Sequence, residues 1–479
     1  MFAFVHETQE GTAYMDNSKQ KNILNGKKHI HFIGIGGSGM YPLAQILHGL
    51  GYCLTGSDNN ETETLDAVRA LGIPVYSGQR AENIEGADLI VHTAAIMSDN
   101  PELIAAKASG APVLERSELL GLVTSWYDRA VCISGTHGKT TTSCMLTQIF
   151  LDAGVDVSCV LGGKMKSING SGRFGSSDIL VCESCEFVDT FLKLYPDIAV
   201  ILNIDEDHLD YFKTLDNLKR SFEKFANNAS KCIIYNRDDK NTAEVVARTH
   251  LKKDKVSFGW AEQSDFYPVV KSVKGLVTQF EIYRRGKLFT AAEIHVPGMH
   301  NVINATAAAA AADYCGVSAE KIAAGLKDFA GAIRRFEKIA QVGGVTIVDD
   351  YAHHPAEIAA TLKSAAGLGF KRIVAVHQPF TYSRTAMLLD DFAKALSHAD
   401  KVVLTEIMGS REKNTYGIHS SDLAAKIPGC TLTPSFDECV SYLEENVREG
   451  DLVITLGCGD IYKVAKRLAA RLEQRQGGV

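Results

Sequence analysis

The first patterned part of the chain alternates apolar runs with amphipathic stretches. The runs "HIHFIGI", "YCLTGSD" and "DLIVHTAAI" predict strands, while residues 39–51 and "ETLDAVRALG" predict helices. Strands that alternate with helices are typical of a parallel sheet covered by helices. We therefore predict a first α/β domain over residues 28–125 and, before it, a flexible arm over residues 1–27.

The same alternation returns twice. Residues 126–333 open with the strand, loop and helix of "RAVCISGTHGKTTTSCMLTQIF", and later "FEIYRRGKLFTAAEIHVP" predicts a hairpin. Residues 334–479 carry the strands "VTIVDDY", "RIVAVHQ", "KVVLTEI" and "DLVITLG" with amphipathic helices between them. We predict an α/β fold of three domains: a Rossmann-like N-terminal domain, a central P-loop ATPase-like domain and a doubly wound, Rossmann-like C-terminal domain.

Length and composition agree with a three-domain fold and argue against some classes of function. A length of 479 residues suits about three domains. A net charge of -7 argues against a nucleic-acid partner, which would favour a basic excess. The start of the chain lacks the basic and apolar regions of a signal peptide, and no apolar run approaches the ~20 residues of a membrane span. We therefore expect a cytoplasmic protein without a membrane partner.

Eleven cysteines are scattered through the chain, mostly within apolar segments, which predicts reduced thiols. Cys182 and Cys185 form a C-x-x-C pair. Since no second pair follows, we disfavour a redox or zinc role for it.

A glycine-rich loop follows the first predicted strand. Gly34, Gly36 and Gly39 satisfy G-x-G-x-x-G, and Asp58 ends the next strand. Such glycines let backbone N–H groups approach a pyrophosphate, and the acidic residue can meet a ribose. The pattern indicates a nucleoside diphosphate more firmly than it indicates NAD(P), and a tight turn without a ligand remains the alternative.

A second glycine loop opens the central domain. Gly135, Gly138, Lys139 and Thr140 match the end of a phosphate-binding loop, but Ile133 stands where the standard motif has its first glycine. Lys139 suits the β- and γ-phosphates of ATP, and Thr140 suits Mg²⁺. A nicotinamide dehydrogenase would not need this loop. Two loops favour an ATP-dependent reaction on a substrate that itself carries a nucleotide.

Further candidates follow predicted strands in the central domain. Glu183 and His208 lie where ligands gather in open α/β sheets, and both can join Thr140 around Mg²⁺, although histidine is a less usual partner. Buried structural roles for Glu183 and His208 stay open. Three acidic residues beside His208 are better explained as part of a solvated loop: Glu206, Asp207 and Asp210.

In the C-terminal domain, Arg334 and Arg335 can stabilise charge on a transferring phosphoryl group, although a surface ion pair is the simpler role. Two predicted strand-to-helix turns carry more polar candidates: Asp349, Asp350, Tyr351, His353 and His354 in the first, and Tyr382, Ser383 and Arg384 in the second.

Six motifs in order, "GTHGKTTT", "NIDEDHLDY", "GMHNVINATAA", "RRFE", "DDYAHHP" and "TLGCGDIYKVA", resemble the Mur ligases from about residue 28 onward. The resemblance implies an enzyme of peptidoglycan precursor biosynthesis. Its first domain holds the UDP end of a sugar nucleotide, its second holds ATP, and its third closes over the site with the amino acid. The motifs most resemble the branch that joins L-alanine to the carboxylate of UDP-N-acetylmuramate through an acyl phosphate. A branch that adds a recycled tripeptide shares nearly every motif and is the alternative.

The resemblance also implies residue roles. Catalysis falls to Lys139, Glu183, His208 and Arg335, and the metal ligands are Thr140, Glu183 and His208. The implied ATP-binding residues are Gly135, Thr136, His137, Gly138, Lys139, Thr140, Thr141, Asn301, Asn304, Arg335, Asp349 and Asp350. The implied substrate-binding residues are Gly36, Gly37, Ser38, Gly39, Met40, Asp58, Thr93, Ala94, Tyr351, His353, Tyr382 and Arg384.

The chain departs from the family pattern at three positions. Phe380 and Gln79 stand where histidine is common, and Cys458 stands where alanine is usual. We expect a polar contact to be lost at Phe380 and small effects at the other two. A non-catalytic nucleotide sensor is a further alternative, but it would not need all four of the residues Lys139, Glu183, His208 and Arg335.

Overall fold

The computed structural model describes residue 24 and residues 26–249, 253–410 and 412–477. The predicted arm lies almost wholly outside these residues. The chain divides into two compact units, one of residues up to Trp126 with Lys193–Tyr195, the other of Tyr127–Leu192 with the chain from Pro196 onward. Among the described residues, no helix has both the length and the apolar composition that a membrane span requires.

The first unit is built on a five-stranded parallel sheet with the order β3-β2-β1-β4-β5. Strand β1 is buried along nearly its whole length because helices cover the sheet. Its strands are β1 His29–Ile33, β2 Cys53–Asp58, β3 Val75–Ser77, β4 Leu89–His92 and β5 Val113–Glu115. Its helices are α1 Tyr41–Gly49, α2 Glu63–Ala70, α3 Pro101–Ala108 and α4 Arg116–Thr124, with a 3₁₀ helix at Ala81–Ile84.

The second unit contains two sheets. The larger has ten strands in the order β15-β14-β13-β12-β11-β10-β6-β9-β7-β8, parallel in its middle and antiparallel at both edges. The predicted hairpin is confirmed as β14 and β15. The strands are β6 Arg129–Ser134, β7 Ser158–Met165, β8 Gly170–Arg173, β9 Ile179–Glu183, β10 Ile198–Ile201, β11 Cys232–Asn236, β12 Asp254–Phe258, β13 Phe266–Lys274, β14 Val277–Arg284 and β15 Lys287–Ile294.

Helices cover this sheet. The alanine-rich run around residues 305–312 is buried throughout, which lets its helix pack closely against the sheet and against α5. The helices are α5 Lys139–Asp152, α6 Leu209–Phe212, α7 Leu215–Asn228, α8 Lys240–Arg248, α9 Met299–Tyr314 and α10 Ala319–Asp328, with 3₁₀ turns at Lys166–Ile168 and Phe187–Lys193.

The smaller sheet of the second unit has the order β16-β17-β21-β18-β19-β20, parallel except for β16. Its strands are β16 Glu337–Val342, β17 Val345–Asp350, β18 Arg372–His377, β19 Lys401–Leu404, β20 Thr431–Leu432 and β21 Asp451–Leu456. Its helices are α11 Pro355–Ala366, α12 Tyr382–Met387, α13 Leu389–Leu396, α14 Ser420–Ala424, α15 Phe436–Asn446 and α16 Tyr462–Gly477.

The predicted α/β architecture of three sheet-based parts is confirmed. The sheets occupy residues 29–115, 129–294 and 337–456. The domain boundaries at 126 and 334 stay predictions, since the second unit contains two of the three sheets.

Candidate active site

The second glycine loop connects the buried strand β6 to helix α5. Gly138 precedes the helix with φ 87°, a left-handed conformation that side chains rarely adopt. A Cβ atom at this position would lie 2.6 Å from Oδ1 of Asn304. The loop therefore requires glycine here, because its backbone runs directly against helix α9.

The carboxyl end of β10 holds the other side of this loop. Asn203 accepts a hydrogen bond from the His137 N–H at 2.8 Å and donates one to the His137 carbonyl at 3.0 Å. The hydroxyl of Thr136 accepts from the Asp205 N–H at 2.9 Å. These contacts leave the loop backbone fixed before any phosphate binds. Asn203 was not among the predicted residues, although it opens the quoted motif "NIDEDHLDY" just after a strand.

Lys139, the first residue of α5, folds back over the loop. Its Nζ donates to the carbonyls of Gly135 at 2.5 Å and Thr136 at 3.1 Å, and to the Glu186 carboxylate at 2.9 and 3.1 Å. Glu186 is only 1% exposed. Sequence analysis missed this glutamate, although it follows β9 within the "CESCE" segment.

Glu183, the last residue of β9, faces the first turn of α5. The Thr140 hydroxyl donates to its Oε1 at 3.0 Å, and the Gly162 N–H donates to its Oε2 at 2.8 Å. Burial raises the pKa of Glu183, and the Gly162 hydrogen bond and the charges of Lys139 and Arg335 oppose that rise. The structure thus brings two of the three predicted metal ligands into direct contact.

The third predicted ligand, His208, has other neighbours. Its ring packs on Phe187 with centroids 4.7 Å apart, and its backbone has φ 53°. Within the described ranges, no three His, Cys, Asp or Glu side chains form a metal-binding group. The oxygens of Thr140 and Glu183 nevertheless suit Mg²⁺, which commonly takes one or two carboxylates and completes its shell with phosphates and water.

Asn301 and Asn304 lie on the first turns of α9 and are buried. Asn301 donates to the Pro297 carbonyl at 2.6 Å, and Asn304 donates to Asn301 at 3.0 Å. Asn304 also borders Gly138. The pair therefore supports the phosphate loop from behind, while Thr141 lies in the first turn of α5.

The structure separates the roles of the two adjacent arginines. Arg334 donates from Nε to Asp349 at 2.9 Å and from Nη1 to the Gly459 carbonyl at 2.8 Å. Arg335 lies with its guanidinium 5.8 Å from the Tyr351 ring centroid. Its charge also lowers the pKa of Glu183, against the effect of burial. Arg334 thus anchors the small sheet, whereas the charge of Arg335 acts on carboxyl groups of both sheets, Glu183 and Asp350.

Asp349 and Asp350 both have internal partners. Asp349 is fully buried and accepts from Arg334 and, at 2.6 Å, from the Thr455 hydroxyl. Asp350 accepts from the N–H groups of Phe336 and Ala352, each at 2.8 Å. Burial raises the pKa of Asp350 to about 6. Both carboxylates position the backbone that carries Arg335, and a ribose contact would have to use their remaining lone pairs.

The remaining candidates of the small sheet gather at the carboxyl ends of its strands. Tyr351 and His353 make an edge-on ring contact at 5.5 Å, and burial lowers the pKa of His353. Tyr382 begins α12, and Arg384 has a buried Nη1 without a hydrogen-bond partner. Phe380 forms an isolated bridge with Met408.

In the first unit, the glycine loop after β1 is tied to β2. The Gly36 N–H donates to Asp58 Oδ2 at 2.9 Å, so this carboxylate supports the loop itself. Thr93 packs against Gly34, and the Arg116 side chain packs against Gly39. Arg116 was not predicted. The loop also carries Gly37, Ser38 and the buried Met40, whereas Ala94 is exposed beyond β4.

Gln79, also in the first unit, bridges two asparagines. Its Oε1 accepts from Asn59 at 3.0 Å and from Asn100 at 2.7 Å. The glutamine at this departure from the family pattern therefore has a structural role of its own.

Comparison with known proteins matches this arrangement along the chain. Three family models match: "Mur ligase family, catalytic domain" at residues 29–127, "Mur ligase middle domain" at 133–312 and "Mur ligase, glutamate ligase domain" at 334–459. The chain is 44% identical to a UDP-N-acetylmuramate–L-alanine ligase of Caldanaerobacter subterraneus subsp. tengcongensis, over 92% of this chain and 97% of the relative. It is 42% identical to the protein of that name in Acetivibrio thermocellus, over 94% and 97%.

Solved structures agree. The UDP-N-acetylmuramate–alanine ligase of Thermotoga maritima matches with a TM-score of 0.78 and 28% identity, covering 94% of this chain and 100% of that one. A murein peptide ligase of Psychrobacter arcticus matches with a TM-score of 0.66 and 24% identity, covering 93% and 98%, which supports the fold alone. On the identity and coverage of these relatives, the chain belongs to the Mur ligase family.

Proposed function

We propose that this ATP-dependent ligase joins the amine of L-alanine to the carboxylate of UDP-N-acetylmuramate, and that it does so in the cytoplasm, where ATP is available. The observation that carries the proposal is the phosphate loop, where Lys139 lies over the loop carbonyls and Thr140 contacts Glu183. The identity of 44% to a relative of that name supports the choice of substrates.

The reaction has two steps. A carboxylate oxygen of the sugar nucleotide attacks the γ-phosphorus of ATP, ADP leaves, and an acyl phosphate forms. The free amine of L-alanine then attacks the acyl carbon. The tetrahedral intermediate releases inorganic phosphate and leaves an amide.

The chain's own residues stabilise the charge that develops in these steps. The Lys139 ammonium faces the loop carbonyls and reaches the β- and γ-phosphates when it turns from Glu186. The Arg335 guanidinium, at the start of the small sheet, adds a second positive charge that acts on Glu183. Fixed positive groups of this kind stabilise a transferring phosphoryl group without reorganisation.

Mg²⁺ fits the oxygen pair of Thr140 and Glu183, and we propose these two residues as its protein ligands. Bound there, it would neutralise phosphate charge during transfer. The position of His208 on Phe187 favours a contact with substrate over a place in the same metal shell.

Phosphate release tests the proposal. The protein is incubated with ATP, Mg²⁺ and UDP-N-acetylmuramate, with either L-alanine or the tripeptide L-Ala-γ-D-Glu-meso-diaminopimelate. We expect release that depends on L-alanine and is abolished in Lys139→Ala. Release with the tripeptide alone would assign the protein to peptide recycling, and no release with either would refute the ligase proposal.

A further inference from the structure

A network of hydrogen bonds in the first unit takes no part in the roles proposed so far. It runs from the Gly86 carbonyl through His29, Thr55 and His31 to Glu102, and its four contacts are 2.8 or 2.9 Å long. We call these five residues the histidine network. His31 and Glu102 are both fully buried. Because the burial of ionisable groups is costly, such a pair requires a physical explanation.

The buried end of the network meets the residue that holds the first glycine loop. The Ser57 hydroxyl donates to Oε2 of Glu102 at 2.5 Å. The Ser57 carbonyl accepts from the N–H groups of Gly34 at 2.8 Å and Ile35 at 3.0 Å. Glu102 therefore fixes the end of β2, on which the backbone of the loop depends.

The four contacts of the histidine network require four protons, one for each hydrogen bond. The Gly86 carbonyl can only accept, and so can an ionised Glu102. A neutral His29, a neutral His31 and the Thr55 hydroxyl supply one proton each, which makes three. The complete network therefore holds one proton more than these groups carry when both histidines are neutral and the carboxylate is ionised.

Burial decides where the extra proton lies. With His29 neutral, its Nδ1 donates to Gly86, its Nε2 accepts from Thr55, and the Thr55 oxygen accepts from Nδ1 of His31. The extra proton then lies between His31 and Glu102, on an imidazolium or on a carboxylic acid, and the buried pair has no net charge. A charged His29 would instead leave an ionised Glu102 in the interior beside a neutral ring, which burial disfavours.

Other ionisable groups touch the network only away from this pair. Asp88 accepts the His29 N–H at 3.0 Å, and the Tyr76 ring lies 6.2 Å from the His31 ring, measured between centroids. In the described structure, no hydrogen bond joins His31 or Glu102 to the remaining ionisable side chains on the surrounding strands and helices, which are Cys53, Asp58, Glu82, His92 and Lys107. The proton count of the pair therefore follows from the network's own contacts.

We propose that His31 and Glu102 are positioning residues that share one extra proton and, through Ser57, hold the first glycine loop in the form that binds the diphosphate of the substrate. This inference rests on the proposed function for the uridine nucleotide as the ligand. When the proton is lost, one hydrogen bond of the network cannot form and the buried carboxylate keeps only a neutral partner. Ser57 then loses its fixed position, so binding weakens as the pH rises.

Calorimetry with UDP-N-acetylglucosamine at pH 6 and pH 8.5 tests this, since the diphosphate of this ligand keeps its charge over that range. We expect the wild type to bind about tenfold more weakly at the higher pH, because a buried hydrogen bond is lost. Glu102→Gln supplies an amide N–H to His31 and a carbonyl to Ser57, which completes the network without the extra proton. This variant should bind at both pH values as the wild type binds at pH 6.

Two further variants separate the pair from other effects. Glu102→Leu removes both contacts and should bind about tenfold more weakly than the wild type at pH 6, at both pH values. His48→Asn removes an exposed histidine of the same unit and should keep the wild-type pH dependence. Thermal unfolding checks that each variant is folded, and Glu102→Gln decides the outcome even where Glu102→Leu does not fold.

The inference is overturned by a wild type whose affinity is the same at both pH values or that binds no sugar nucleotide. An equal pH dependence in the wild type and Glu102→Gln would overturn it as well, because the proton would then lie elsewhere. So would wild-type affinity at both pH values in a folded Glu102→Leu. The expected binding results without L-alanine-dependent phosphate release would instead refute the proposed function and leave the positioning pair standing.

Discussion

At the scale of single residues, the site depends on close approaches and on paired charges. Gly138 is surrounded by the backbone of the loop and by Asn304, and Lys139 is surrounded by carbonyls and a buried carboxylate. The sequence motif identifies the glycine and the lysine. It does not identify their partners, which come from β9, β10 and α9.

We expect Gly138→Ala to raise the KM for ATP at least about tenfold and to cost about 1–3 kcal/mol of folding free energy. Alanine is disfavoured in the left-handed backbone of this position, and its Cβ would clash with Asn304. Steady-state kinetics and denaturant unfolding measure both effects. Gly154→Ala is the matched control, since Gly154 has φ 81° but nothing within 4 Å of the added carbon. Gly154→Ala should lose stability but keep the wild-type KM for ATP. An unchanged KM for ATP in Gly138→Ala would contradict the close packing of the loop.

Glu186→Ala should leave the Lys139 ammonium without its carboxylate partner. We expect a loss of about 1–3 kcal/mol without nucleotide, since an uncompensated and largely buried charge is costly. Bound ATP supplies new negative partners, so the rise in Tm on adding ATP and Mg²⁺ should be larger in this variant than in the wild type. Thermal unfolding with and without nucleotide measures this. Equal rises in Tm would show that Glu186 does not balance the lysine's charge.

At the scale of elements, helix α5 is the support of the phosphate loop, and α9 and α10 pack against it. Small residues make this possible. The alanines of α9 are buried along the helix, and Gly325 of α10 meets the backbone of α5 at Ile149.

Gly325→Ala should therefore destabilise the protein by about 1–3 kcal/mol, although alanine favours helices, because the new Cβ would lie 2.5 Å from the Cα of Ile149. Denaturant unfolding measures the change. Ala324→Leu adds a larger side chain to the exposed position next to it and should stay within about 0.5 kcal/mol of the wild type. A stabilised Gly325→Ala would mean that the helices can separate at little cost.

At the scale of the whole molecule, two buried groups of the small sheet give stability opposite dependences on pH. Burial lowers the pKa of His377 to about 4, from 6.5, and raises that of Asp350 to about 6, from 3.8. As pH falls from 6.5 to 4, the unfolded chain takes up a proton at His377 that the folded chain does not, so stability falls. As pH falls from 6 to 4, the folded chain takes up a proton at Asp350 that the unfolded chain does not, so this group makes stability rise as pH falls.

Removing one of the two groups should reveal the pH dependence of stability that the other group causes. From pH 7 to pH 5, the stability of His377→Leu should change more favourably than that of the wild type by about 2 kcal/mol, and that of Asp350→Asn less favourably by about 1 kcal/mol. Denaturant unfolding at the two pH values measures both. Parallel pH profiles for the three proteins would show that neither group titrates as its burial requires.

Much of this protein was determined by its sequence alone. Alternating apolar and amphipathic stretches predict the α/β layers, because burial against a sheet imposes those periods locally. The hairpin of β14 and β15 and the two glycine loops are local as well, and Lys139, Thr140 and Glu183 follow from motif and position.

Tertiary structure decided the rest, because it joins residues that lie far apart in the chain. Only packing shows that Glu186 pairs with Lys139, that Asn304 supports Gly138, and that Asp349 holds Arg334. Only the strand order brings the carboxyl ends of β6, β9 and β10 to one edge, since β6 lies between β10 and β9, which do not adjoin it in sequence. The contact of His31 with Glu102 has no local signal either, because only the fold brings strand β1 and helix α3 together.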